Sequence, residues 1–369
     1  NVIGSSGNDT IKGNNSNNIL IGGKGNDTFM SRGGVNTIYG GTIDNSLVSG
    51  EINTISYEDE TRNIIVDMSQ NKSGINVSGI ISDTDNATLH GVQNAIGGSG
   101  DDIFKTNTSV SNSFDGIAGS DTVDYSTLTA SQNINVTLAG TSASTVNIAN
   151  AQSDTIKNIE NVTGGAGNDI IVGDTLNNIL RGGAGNDTIK GTSGNNSLYG
   201  DAGNDTIFSG TGDDFIDGGE DSDTVHYGAA TSGIKVDLAN EDSQNIGGGM
   251  GKDTIANIEN VIGSNYGDTI KGNNSANILI GAAGDDTFIA SRGKDTIYGG
   301  TLDNSLVPGE INTISYEDET QSVIVDMSQN LSGLNVSGSI SATDNATLYG
   351  VQNAIGGSGD DIFKTNTSV

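Results

Sequence analysis

Cysteine and tryptophan are absent from this chain of 369 residues, and it holds a single proline, Pro308. Without cysteine no disulfide staples the fold, and cysteine usage says nothing about the redox compartment. Positive charge is also scarce. Lys plus Arg number 15 against 46 Asp plus Glu, a formal net charge of −31. A surface of that sign repels nucleic-acid phosphates and anionic lipid, which argues against both as partners. It also pushes the compact state apart unless cations neutralise it. No apolar run reaches the roughly 18 residues of a membrane span. No long stretch repeats its apolar residues at the helical period.

Glycine is the residue in excess, with 56 copies, and it is periodic rather than scattered. From Gly4 onward, nine-residue blocks start at positions 4, 13, 22, 31, 40 and 49, reading GSSGNDTIK, GNNSNNILI, GGKGNDTFM, SRGGVNTIY, GGTIDNSLV and SGEINTISY. A second run starts at 164 and continues at 173, 182, 191, 200, 209 and 218, with GGAGNDIIV, GGAGNDTIK and GDAGNDTIF among its blocks. A third run starts at 263 and mirrors the first, and shorter pieces lie at 97–105, 116–124 and 356–364. The eighth place of a block is apolar: Ile11, Leu20, Phe29, Ile38 and Leu47, then Ile171, Leu180, Ile189, Leu198, Ile207, Ile216 and Val225. Each block therefore reads as a glycine turn followed by a very short strand with one core-facing side chain. Burying one aliphatic stabilises by about 1.5–3 kcal/mol, whereas ordering each residue costs about 1–2 kcal/mol. One block cannot fold alone. Stacked blocks share a core, and something further must offset the deficit.

A second period is superposed on the first. Residues 1–110 align without gaps to residues 260–369 with 87 identities, a period of 259 residues. The chain opens in mid-pattern, as expected of a segment from a longer tandem array. Segments outside the nonapeptide pattern interrupt it. Three of them open with a short alternating strand, at Ile64–Met68, Ile134–Leu138 and Ile234–Leu238, and close on Val92-Gln93-Asn94, Ile159-Glu160-Asn161 and Ile258-Glu259-Asn260. The expected order is roll 1–56, insert 57–96, short roll 97–124, insert 125–163, roll 164–226, insert 227–262, roll 263–315, insert 316–355 and a new roll from 356 to 369. The inserts read as wider β coils on the same axis. Separate globular domains are the alternative, but no linker-like break isolates them.

Glycine at the first, second and fourth places permits positive φ and close backbone approach. The turn then aims carbonyl oxygens inward, and the sixth place adds a carboxylate. An oxygen-only donor set suits Ca²⁺ and lacks the nitrogen or sulfur that zinc and copper prefer. The candidate ligands are Asp9, Asp27, Asp102, Asp121, Asp169, Asp187, Asp205, Asp214, Asp268, Asp286 and Asp361, with Asp223 and Asp295 in less regular turns. Coils stack about 4.8 Å apart, and carboxylates at that spacing repel by roughly 1 kcal/mol even in water. A cation between turns relieves the repulsion and makes up for the thin core, so metal binding becomes folding free energy.

GGKGNDTFM, GGAGNDTIK and their relatives resemble the G-G-x-G-x-D-x-U-x repeat of the RTX (repeats-in-toxin) family. The runs cover a little under half of the chain. The interleaved N-I-E-N segments are similar to those of long RTX adhesins. The resemblance implies an all-β parallel β-roll or β-helix solenoid, two nonapeptides to a coil, with several Ca²⁺ ions as cofactors. Each ion would lie between a turn and the one two blocks later. It also implies that Asp169, Asp187, Asp205 and Asp223 share a column and that Asp214 lies on the opposite side. Asn18, Asn36, Asn178, Asn196 and Asn277 replace the sixth-place aspartate, as do Asn45 and Asn304 in turns lacking the fourth-place glycine. These turns are expected to bind calcium poorly and to stack their amides.

Plainer readings stand beside these. A sixth-place Asp is also a turn former. The Glu58-Asp59-Glu60 and Glu317-Asp318-Glu319 clusters read as solvated loops, and His90 and His226 as lone surface residues. The seventh-place threonines are ordinary outward strand residues, since the third places beside them are too irregular for a flat ligand-binding array. The leading functional expectation is a calcium-stabilised, non-enzymatic stalk or filament segment of a large secreted or cell-surface adhesin, folding on Ca²⁺ after export. Other copies of itself in a fibre, or an external surface or glycan, are its candidate partners. The alternatives are the secretion and folding domain of an exported toxin or hydrolase, and a β-helical polysaccharide-active enzyme. The last needs basic residues converging near carboxylates, and no such cluster is visible.

Overall fold

The computed structural model describes residues 1–43, 50–77, 80–301, 308–337 and 339–365. Asn45, Leu47 and Asn304 lie outside the described residues. Every regular element among the described residues is a β-strand. The chain forms two units, residues 1–185 and 186–369. Each is a parallel β-roll whose three-residue strands alternate with turns.

The coil repeat follows from strand register. Thr10–Lys12 pairs in parallel with Thr28–Met30, placing Ile11 opposite Phe29, and Ile19–Ile21 pairs with Gly34–Tyr39, placing Leu20 opposite Ile38. Partners are thus two nonapeptides apart. Only the middle residue of each three-residue strand must face inward, which is why one apolar side chain per block suffices. In the first unit Ile11, Phe29, Ile55, Phe114 and Ile156 line one wall, and Leu20, Ile38, Val66, Phe104, Val123, Val162 and Leu180 the other; all are buried. The rings of Phe104 and Phe114 stack 5.3 Å apart across the roll. In the second unit Ile189, Ile207, Val225, Val261, Leu279 and Ile297 continue the pattern against Leu198, Ile216 and Ile255.

The nine-residue register slips where the sequence reading kept it continuous, in the same way in each unit. Phe29 is opposed by Ile55, not by Ser56, and Asn53 takes the sixth-place role by accepting the Asp27 N–H through Oδ1 at 2.9 Å. The block that reads from 49 is therefore displaced by one residue. Its Thr-Ile pair, matching the Thr-Ile or Thr-Phe of other blocks, decides the register because Ile55 buries more apolar surface than a serine.

The inserts add strands to the sheets. Gly34–Tyr39 pairs in parallel with Ile80–His90, which runs antiparallel to Lys72–Val77, itself antiparallel to Ile64–Asp67. Ile64–Asp67 then resumes parallel pairing with Ile103–Lys105. Ser113–Asp115 reaches Ile170–Val172 by the same route, through Asp154–Lys157, Ser144–Ile148 and Ile134–Thr137. Each of these two inserts is thus a three-stranded meander spliced between two coils, whereas in the third Gln244–Asn245 pairs antiparallel with Lys252–Ala256 and Lys235–Asp237 pairs with Thr269–Lys271, joined to the hairpin by the single bridge Ile234–Gly247. In the second unit, Lys294–Tyr298, Ser339–Tyr349, Leu331–Val336, Val323–Asp326 and Ile362–Lys364 repeat this arrangement. The histidines are half-buried rather than free on the surface. His226 stacks on Phe208 with centroids 4.5 Å apart and His90 on Tyr39 at 4.7 Å, as same-face neighbours on paired strands.

Candidate metal centre

The sixth-place residues form ladders. The backbone N–H of Asp187 donates to Oδ1 of Asp205 at 2.7 Å, and that of Asp205 to Oδ1 of Asp223 at 2.8 Å. The carbonyl of Asp187 accepts from Thr206 and that of Asp205 from Thr224, both at 2.9 Å. Each aspartate therefore joins its coil to the next through main chain and side chain together. The same bond links Asp9 to Asp27, Asp102 to Asp121 and Asp268 to Asp286. On the opposite sheet it links Asn196 to Asp214, and it links Asn277 to Asp295 on the sheet that carries Asp205 and Asp223. Strand residues at the head of an insert start further rungs. Ile64 donates to Asp102, Ile134 to Asp169, Ile234 to Asp268 and Val323 to Asp361. Where asparagine stands at the sixth place the ladder persists, as from Asn18 to Asn36 at 2.8 Å.

With Oδ1 committed to the ladder, the second carboxylate oxygen distinguishes two kinds of turn. In the first kind the N–H of the second-place residue turns inward and donates to it: Ser5 to Asp9 at 2.5 Å, Gly98 to Asp102 at 2.8 Å, Gly165 to Asp169 at 2.8 Å and Ser264 to Asp268 at 2.6 Å. The Ser291 hydroxyl does the same for Asp295 at 3.0 Å. In the second kind Oδ2 is buried with no donor, as in Asp27, Asp121, Asp205, Asp214, Asp223 and Asp286. There the second-place residue has flipped to positive φ: Gly23 at 107°, Ile117 at 72°, Asp201 at 73°, Gly210 at 91°, Gly219 at 108° and Ala282 at 76°. A β-branched residue such as Ile117 is strained in that conformation. The backbone thus pays a conformational cost and leaves a buried carboxylate oxygen bare.

The first-place glycine completes the cradle. A Cβ on Gly200 would strike both Asp205 Oδ2 and the Gly218 carbonyl, and one on Gly22 would strike Asp27 Oδ2 and the Gly40 carbonyl. At Gly218 the added atom would sit 2.5 Å from Asp223 Oδ2. The space a side chain would fill is bounded by a carboxylate oxygen and a carbonyl oxygen from the adjoining coil. Both are acceptors, and burial penalises the charged form. It pushes Asp121 up to about 8, Asp223 and Asp286 to about 7, and Asp205 and Asp214 to about 6. Neighbouring carboxylates add to the rise: Asp102 and Glu160 at Asp121, Asp205 and Glu259 at Asp223. Burial raises Asp27, Asp169 and Asp268 as well, and lifts Asp102 and Asp295 to about 6.

Among the described residues no three acidic or histidine side chains converge as a side-chain cage. The donor set is one carboxylate per turn plus backbone carbonyls. Such a set fits a hard divalent cation of flexible geometry, which is the chemistry of Ca²⁺. The ion would supply positive charge where two acceptors face each other.

Three groups of residues were missed by the sequence reading. Asp154 and Asp253 are fully buried and sit at ladder positions, accepting from Asn112 at 2.8 Å and Asp214 at 3.2 Å. The hydroxyls of Tyr125 and Tyr227 close off their second oxygens at 3.3 and 3.2 Å. The signal was the Asp-Thr-Ile triad they share with the nonapeptides. Glu160 and Glu259 terminate ladders by accepting the N–H of Asp121 and Asp223, both at 2.9 Å. Fifth-place residues form a second ladder running the other way: Asn26 N–H donates to Asn8 Oδ1 at 2.9 Å, and Asn204 to Asn186 at 3.0 Å. The recurrent Asn-Asp pair was its signature.

No curated protein matches the chain. A family model for four copies of the RTX calcium-binding nonapeptide repeat matches residues 3–38, 163–198, 172–207, 199–230, 262–297 and 271–306. These matched stretches carry the ladders of Asp9 and Asp27, of Asp187, Asp205 and Asp223, and of Asp268 and Asp286. The chain accordingly carries RTX calcium-binding nonapeptide repeats, in several copies along its length.

Proposed function

We propose that the chain is a calcium-stabilised structural segment of a secreted or cell-surface protein, a stalk or filament section that folds when it meets Ca²⁺ outside the cell. One observation carries the reading. Asp27, Asp121, Asp205, Asp214, Asp223 and Asp286 each hold a buried carboxylate oxygen with no donor, inside a glycine turn. A fold built this way gains little from its core until cations enter the turns. Calcium is scarce in cytoplasm and plentiful outside, so the unfolded chain is ready for export and the exported chain folds. The near-identity of residues 1–110 and 260–369 supports a structural role, because tandem copies multiply length rather than chemistry. Limited proteolysis with a broad-specificity protease tests the reading. Millimolar Ca²⁺ should protect the chain while equimolar Mg²⁺ or EDTA leaves it digestible, and equal protection in EDTA would overturn it.

A further inference from the structure

The rolls end at their inserts through a four-residue junction that occurs four times among the described residues, in two chemical versions. In each junction the Cβ position of a first-place glycine faces a residue in the sixth-place role. It also faces the carbonyl of a left-handed residue that lies two positions before a Glu or Gln. In the amide version these are Gly40, Asn53, Gly91 and Gln93, repeated as Gly299, Asn312, Gly350 and Gln352. In the acid version they are Gly116, Asp121, Asn158 and Glu160, repeated as Gly218, Asp223, Asn257 and Glu259. The left-handed residue has φ of 66° at Gly91 and Gly350 and 49° at Asn158 and Asn257.

The two versions share a backbone and differ in how the central contact is satisfied. In the amide version, Asn53 Nδ2 donates to the Gly91 carbonyl at 3.0 Å, and Asn312 Nδ2 to the Gly350 carbonyl at 3.1 Å. Donor meets acceptor and the junction closes by itself. In the acid version the atom in that place is Asp121 Oδ2 or Asp223 Oδ2. Both residues are fully buried, both oxygens lack a donor, and the Asn158 or Asn257 carbonyl faces each across the same glycine. Two acceptors oppose each other, with the carboxylate of Glu160 or Glu259 alongside. An unpartnered buried acceptor is costly, and a divalent cation is the ligand that satisfies two oxygens at once while balancing charge.

We propose that the Asn-Ile-Glu-Asn segments at 158–161 and 257–260 are calcium half-sites. Each completes an ion site with the last nonapeptide turn before its insert, using the Asp121–Glu160 and Asp223–Glu259 pairs. The Asn53–Gln93 and Asn312–Gln352 junctions are built to hold without an ion. Insert sequence, not only the nonapeptide, thereby sets which roll ends depend on calcium. This rests on the calcium-dependent reading above.

Native mass spectrometry of the full chain at saturating Ca²⁺ tests it by counting bound ions. The variant D121N/E160Q/D223N/E259Q should carry two ions fewer than the parent chain, and N53D/Q93E one more. An unchanged count in the fourfold variant overturns the proposal. If that variant fails to fold, N53D/Q93E decides: an added ion upholds the proposal and none overturns it. A parent chain that binds no calcium would instead overturn the calcium reading itself, a result distinct from both.

Discussion

Replacing Asp205 with asparagine separates the two tasks of a sixth-place aspartate. Asp205 is 1% exposed. Its Oδ1 accepts the Asp187 N–H and its own N–H donates to Asp223. Asparagine keeps both bonds. It replaces the bare Oδ2, which faces the Gly218 carbonyl across Gly200, with an amide donor. Asn53 already makes that bond, to Gly91 at 3.0 Å. Without calcium, the change removes an unsatisfied buried acceptor, at about 1–3 kcal/mol, and adds a neutral hydrogen bond worth about 1 kcal/mol. The ion-free fold should therefore gain about 2–4 kcal/mol. With calcium, the variant loses the linkage of one ion, about 2.7 kcal/mol at a hundredfold excess over Kd. Folding against the osmolyte TMAO in EDTA, which strengthens effective burial, and against calcium without TMAO, reads both terms. D205N should fold at lower TMAO than the parent chain and show a shallower calcium dependence. Loss of stability by the same amount in both conditions would refute the reasoning.

Acidity should act in opposite directions with and without the ion. Asp121, Asp223 and Asp286 have folded-state values raised by burial to about 8, 7 and 7, above the roughly 3.9 of an unfolded aspartate. A raised value means the fold favours the protonated form, so their contribution is full below pH of about 4 and is lost as pH climbs through about 7–8. In EDTA the TMAO midpoint should rise between pH 5 and pH 8, whereas the calcium midpoint should fall, because only the carboxylate binds the ion. Tyr227→Phe should cost about 1–3 kcal/mol in thermal melts with calcium, since its hydroxyl is the donor to Asp253 Oδ2 at 3.2 Å. Tyr125→Phe should cost less, because the Thr106 hydroxyl remains bonded to Asp154. Ile207→Ala deletes a side chain with 0% exposure and should cost about 2–5 kcal/mol in urea melts with calcium. Thr206→Ala on the outward face should stay within about 0.5 kcal/mol.

The roll was legible because its signals are local and repeated. Ile11 and Phe29, or Ile207 and Val225, stand two nonapeptides apart and pair in register. The sixth-place aspartates were found from the glycine spacing that makes their turns possible. Their division into two kinds was not legible. It depends on whether the second-place residue takes positive φ, and Ile117 and Ala282 do so although nothing in their side chains asks for it. The stacked coil imposes the conformation that local preference resists. The slip at Asn53 and Ile55 was hidden because the block was counted by nines to start at 49, whereas its rung stands 26 residues after Asp27. Asp154 and Asp253 were missed for a related reason. Asp154 ends a block that lacks the glycine turn, whereas Asp253 ends the full glycine turn of GGMGKDTIA at 248–256, a single nonapeptide inside a segment read as an insert; the pairing of Asp154–Lys157 with Ser113–Asp115, and of Lys252–Ala256 with Phe215–Glu220, brings them onto the ladders.

The central claim is that calcium in the glycine turns supplies the free energy the thin core cannot. Far-UV circular dichroism of the chain, titrated from excess EDTA into millimolar Ca²⁺ with Mg²⁺ as the control, tests it most directly. The account predicts a cooperative coil-to-β transition with calcium and none with magnesium. A full β-spectrum already present in EDTA at neutral pH would contradict it, and would mean that the aliphatic walls and the Asp and Asn ladders hold the rolls together without the ion.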